Sequence, residues 1–132
     1  MKTEHKGKYF LSSSSKDKVR PFCYNVSMTR LAVMSDLHID LNHFETYEID
    51  TLIKCLKDQK VTHLHIAGDI SNHYFIDTKP FLHKLSKEVK VTSNLGNHDM
   101  LDLEDDLIDN LDFQVIDLGS MTLLAFHGWD DY

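Results

Sequence analysis

Apolar positions fall into two rhythms from residue 31 onward. Residues 31–34 (LAVM) form a short continuous apolar run, the pattern of a strand buried on both faces. Across 45–59, Ile49, Leu52, Ile53 and Leu56 recur at i, i+3, i+4 and i+7, which predicts an amphipathic helix. Residues 61–67 read as a second strand. Residues 78–88 read as a second helix, with Pro80 near its start and Phe81, Leu82 and Leu85 on one face. A third strand follows at 89–93, and Leu103, Leu107, Ile108 and Leu111 mark a third helix. The rhythm then changes. Residues 113–118, Gly119-Ser120 and 121–126 read as a β-hairpin on a two-residue turn that begins with glycine. Alternating strands and helices closed by a hairpin predict an α/β domain with a mostly parallel sheet. Ligands of such sheets gather at the C-terminal ends of the strands.

The length of 132 residues suits one modest domain. Residues 1–27 show no sustained periodicity and include the run Ser12 to Ser15, so 1–28 reads as a polar, disordered leader and 29–132 as the domain. Met28 opens MTRLAVMSDLH like a natural domain start, which leaves a true extension and an over-called translation start both open. The net charge of −7 is unevenly placed: residues 1–27 carry six Lys or Arg against two acidic residues, and the body is strongly acidic. An acidic body gives no strong nucleic-acid signal, because nonspecific binding needs basic patches, and it is compatible with divalent cations. Cys23 and Cys55 lack any zinc-ribbon spacing and read as free thiols. No stretch is long and apolar enough for a membrane span, and the basic start has no secretory apolar core. A cytoplasmic protein is expected by default, with no membrane partner.

Chemistry-bearing residues stand where the α/β reading wants them. The first strand leads into Asp36-x-His38, the second into Gly68-Asp69, and the third into Gly96-Asn97-His98-Asp99. Asp36 and His38, one residue apart on a bend, can aim a carboxylate and an imidazole at one cation. Gly68 lets the backbone turn to present Asp69, whose carboxylate could bridge two cations. Asn97 offers a neutral amide oxygen where a further anion would overfill the site. Mixed nitrogen and oxygen ligation suits manganese, iron or zinc.

In order, spacing and strand placement these motifs resemble the first three motifs of the calcineurin-like metallophosphoesterases. The resemblance spans about residues 29–132 and implies the N-terminal part of a four-layer α/β/β/α sandwich. It implies a metal-dependent phosphoesterase that hydrolyses a phosphomonoester or phosphodiester by metal-activated hydroxide, with two divalent metal ions in the complete domain. By the same resemblance, Asp36 and His38 match ligands of the first metal, Asp69 the bridging carboxylate and Asn97 a ligand of the second. His98 matches the residue that contacts phosphate and protonates the leaving alkoxide, Asp99 orients His98, and Gly96 makes the turn.

Other histidines carry less. His63 and His65 lie within the second strand, below the site edge, and read as packed or bonded to backbone. His73 is an outside candidate for the substrate cleft, while His5, His43 and His83 read as surface positions. The resemblance further implies a Gly-His and a Gly-His-x-His motif, which are not present; His127-Gly128 is the reversed dipeptide. The chain is therefore expected to be truncated and to hold at most one metal alone. Completion would come from another polypeptide supplying the second half, or from self-association. The alternative is a non-catalytic remnant or interaction module with weak single-metal binding. A nucleotide-binding module is disfavoured, since no Gly-rich phosphate loop is present.

Overall fold

The computed structural model describes residues 28–127. The expected leader up to residue 27, with His5 and Cys23, and the glycine of His127-Gly128 lie outside them. In chain order the elements are β1 (Leu31–Met34), α1 (Thr46–Asp58), β2 (His63–Ala67), a π-helical turn (Tyr74–Thr78), α2 (Lys79–Ser86), β3 (Lys90–Asn94), α3 (Asp105–Asp112), β4 (Gln114–Asp117) and β5 (Thr122–Ala125). Strands β1, β2 and β3 form a parallel sheet in that order, with Leu31 opposite His63 and Leu64 opposite Val91. Strands β4 and β5 form an antiparallel hairpin of their own.

The expected elements are present, with one change of winding. The helix predicted from residue 78 is preceded by a wider turn, in which Asp77 N and Thr78 N both donate to His73 O, at 2.9 and 3.3 Å. Pro80 then sits in the first turn of α2, where its missing N–H has no partner to lose. The hairpin turn is as expected: Leu118 N donates to Met121 O at 2.9 Å, and Gly119 has φ +83°, a value that favours glycine.

The two faces of the parallel sheet differ in kind. Leu64 and Ile66 of β2, with Ala32 and Met34 of β1 and Val91 of β3, meet Leu56 of α1 and Phe81 and Leu85 of α2. Each fully buried leucine or isoleucine of this layer contributes about 1.5–3 kcal/mol. The opposite face is partly covered by the hairpin, where Ile116, Leu118 and Ala125 pack with Leu31. Gln114 Nε2 donates to Ser93 O at 2.7 Å and Thr29 Oγ1 to Leu118 O at 2.8 Å, tying hairpin to sheet. The molecule is thus built of helix, parallel sheet and hairpin layers.

Between sheet and hairpin runs a polar ladder. His63 and His65 are buried as expected, but they bond to side chains rather than to backbone. Asn94 Nδ2 donates to Leu95 O and Phe126 O, so its Oδ1 is an acceptor and His65 Nε2, at 2.9 Å, carries the proton. His65 Nδ1 then accepts from the Thr92 hydroxyl at 2.9 Å, and the Thr92 oxygen accepts from His63 Nε2 at 2.7 Å. His63 Nδ1 is left buried without a partner. Burial, and then the nearby Lys90 and His65, hold the His63 pKa below its ordinary value.

Candidate metal centre

The loops that follow β1 and β2 stay hydrogen-bonded to each other beyond the strands. Asp36 N donates to Gly68 O at 3.1 Å, His38 N to Asp69 O at 3.1 Å and Ile39 N to Ile70 O at 2.8 Å. Continuing this pairing through the bends puts Asp36, His38 and Asp69 at φ +56°, +42° and +54°, with Gly68 at +78°. Left-handed backbone costs a non-glycine residue on the order of 1 kcal/mol or more, and such strain clusters at functional sites. Gly68 is needed twice over, since a Cβ there would also lie 2.6 Å from Gly96 N. Gly96 was expected for a turn, but its need is room: a Cβ would fall 2.2 Å from Asp69 Oδ1.

Asp99 holds these loops together. Its carboxylate is 1% exposed and accepts from four backbone N–H groups: Asp69 and Gly96 on Oδ2 at 2.6 and 2.8 Å, Ile70 and Ser71 on Oδ1 at 2.9 and 3.3 Å. Burial pushes its pKa up, and the backbone bonds from Gly96, Ile70, Ser71 and Asp69 pull the other way. Both Asp99 oxygens are committed to backbone N–H groups of the two loops, and the carboxylate makes no hydrogen bond to the His98 ring. The ring is held by Asn72, whose Oδ1 lies 2.6 Å from His98 Nδ1. Asn72 was not singled out from sequence; its one signal is that it closes the polar step Ser71-Asn72 just after Gly68-Asp69.

Donor atoms of His38, Asp69 and His98 all lie within 4.8 Å of one another. The His38 and His98 rings meet edge to face with centroids 4.7 Å apart, and His98 N donates to Asp69 Oδ1 at 3.0 Å. His38 Nδ1 is buried with no hydrogen-bond partner, an orphaned donor site that a cation would satisfy. Two imidazoles and a carboxylate fit a divalent transition ion. The Asn97 amide lies against the Asp69 carboxylate. Turned one way its NH₂ donates at 3.2 and 3.3 Å; turned the other way, two acceptors face each other, an arrangement that only a cation between them would stabilise. Asp36 is exposed, accepts from the Ser35 hydroxyl and stands outside the three-donor group. The structure therefore brings His38 and Asp69 together, adds His98 to them, and sets Asn97 beside Asp69.

An open cleft of about 410 Å³ runs from Asp69, Gly96 and Asn97 to Val33, Ala125 and Phe126 of sheet and hairpin. His73 does not line it; it stands beside Asp40 and Asp77. His43 and His83 are exposed, as expected.

The sequence model of the Calcineurin-like phosphoesterase superfamily domain matches residues 29–132, and the chain belongs to this family. The α/β fold with its parallel sheet and following hairpin is the N-terminal part of the metallophosphoesterase fold. The family implies a phosphoesterase, phosphate-ester substrates and divalent metal ions. Among curated proteins none matches the chain significantly. No helix among the described residues is long and apolar enough to cross a membrane.

Proposed function

We propose that the chain is a cytoplasmic, metal-dependent phosphoesterase acting on a phosphomonoester or phosphodiester, with Asp36, His38, Asp69 and Asn97 as metal ligands. One observation carries the reading: His38, Asp69 and His98 converge at the ends of three successive parallel strands, and His38 keeps a buried nitrogen without a partner. A divalent ion there would polarise a phosphoryl oxygen and lower the pKa of a bound water. Manganese, iron and zinc all suit the donors, and two ions complete the family's site, of which this chain's own donors hold at most one.

The chain's own residues then act as follows. Asp69 is fixed by the His98 N–H on Oδ1. Asn72 Oδ1 keeps a proton on His98 Nδ1, which leaves Nε2 for the substrate. Protonated, Nε2 donates to the leaving alkoxide; neutral, it accepts from a water or binds a cation. Asp99 keeps the Gly68-Asp69 and Gly96-Asn97 loops at the spacing this requires.

The test is manganese-dependent hydrolysis of a chromogenic phosphodiester by the purified chain and by Asp69→Asn. The variant should lose at least about 100-fold, more than the 10–100-fold typical of a residue behind a ligand. Equal rates in the two proteins would overturn the assignment. A second reading, a non-catalytic module that binds a single cation, is favoured by the place of Asp36 outside the donor group. It predicts one manganese site that Asp69→Asn removes, with no turnover in either protein.

A further inference from the structure

A second set of donors lies on the far side of Asn72. Asp40 sits in the loop after β1, His73 in the loop after β2, and Asp77 in the π-helical turn, with donor atoms all within 4.8 Å of one another. The bond from Asp77 N to His73 O makes one turn of the chain, so His73 and Asp77 stand four residues apart on one face. That is the spacing by which two ligands on a helical turn share a cation.

The set is electrically unfinished. Asp40 Oδ2 accepts from Asn72 N at 3.2 Å, but its Oδ1 is shut off from solvent with no hydrogen-bond partner. Among the described residues neither Asp40 nor Asp77 forms an ion pair with a lysine or arginine. Two carboxylates at this separation repel, and a buried carboxylate oxygen without a donor is costly. A single cation removes both penalties. One imidazole and two carboxylates are a three-ligand set for zinc, with water in the fourth position.

We propose that Asp40, His73 and Asp77 form a divalent-cation site of their own, of the zinc type, separate from the phosphoesterase centre. The sites share no ligand, and this one does not depend on the catalytic reading. The site holds its cation in the chain whether or not a phosphate ester is turned over.

Calorimetric zinc titration of three proteins tests this: Asp69→Asn, and the same chain with His73→Ala or Asp77→Asn added. Asp69→Asn cripples the phosphoesterase centre and should still bind about one zinc. Each added substitution should weaken that binding at least 10-fold, as expected for loss of one ligand in three. The His73 ring is exposed, and Asp77→Asn preserves shape, so circular dichroism should be unchanged in both. Absence of zinc binding by Asp69→Asn at millimolar zinc would overturn the proposal. So would binding that neither added substitution alters. Activity of the unsubstituted chain reports separately on the phosphoesterase reading.

Discussion

At Asp99, two oxygens serve four N–H donors, and this division makes the residue intolerant of even its closest replacement. An asparagine can offer one oxygen, but its NH₂ would face two N–H groups that cannot be satisfied. Asp99→Asn is therefore expected to lower unfolding stability by about 2–4 kcal/mol, one desolvation penalty for each stranded donor. Urea denaturation measures this, and a loss below roughly 0.5 kcal/mol, the scatter of surface substitutions, would contradict it. Asp99 was legible in the sequence as a member of Gly-Asn-His-Asp, but its backbone partners were not. The motif says which residues are adjacent in the chain, whereas its carboxylate serves N–H groups on β2's loop some thirty residues away. For the same reason Asn72 could not be paired with His98 from spacing alone.

Among the elements, β2 and β3 are joined by more than their backbone register. The chain His63–Thr92–His65–Asn94 runs through an Nε2 proton on each imidazole, with the Thr92 hydroxyl accepting from one ring and donating to the other. The sign of the pH dependence follows. The folded His63 pKa lies below the ordinary 6.5, so as pH falls through 6.5 the unfolded chain takes up a proton that the folded chain refuses. More protons bound to the unfolded state mean that stability is present above 6.5 and lost on acidification. The slope from this residue is at most about 1.4 kcal/mol per pH unit. Stability measured between pH 7 and 5.5 should show it, and His63→Gln should flatten it; an equal slope in the variant would remove His63 as the cause. The strands and helices themselves were readable, because burial on one or both faces writes its period into the chain. The wider turn before α2 was not. Its wall-forming residues Ser71 and Thr78 bond to each other, a contact with no period to read.

At the scale of the whole molecule, the layers leave an apolar surface of the hairpin uncovered among the described residues. Val115 and Leu124 are opposite each other on the outer side of the hairpin at 63% and 57% exposure, beside the stacked pair Phe113 and Phe126. Contiguous apolar surface of this kind drives association. The purified chain is expected to associate as its concentration rises, and Leu124→Glu should shift it toward monomer in sedimentation velocity. A concentration-independent monomer in both proteins would show that the surface is inert. The position of the site at the sheet edge was legible because strand order and loop chemistry agree. Which side chains meet there was not, since His98 comes beside His38 and Asp69 and Asp36 turns to Ser35 only once the loops are folded. Asn72 then has a consequence of its own. Its N–H holds Asp40 while its side chain holds His98, so the two donor groups pull on one residue from opposite sides. Any free energy it carries between them must be the same in both directions. A cation that tightens the grip on one side by some factor is itself held tighter, by that factor, when the other side fills.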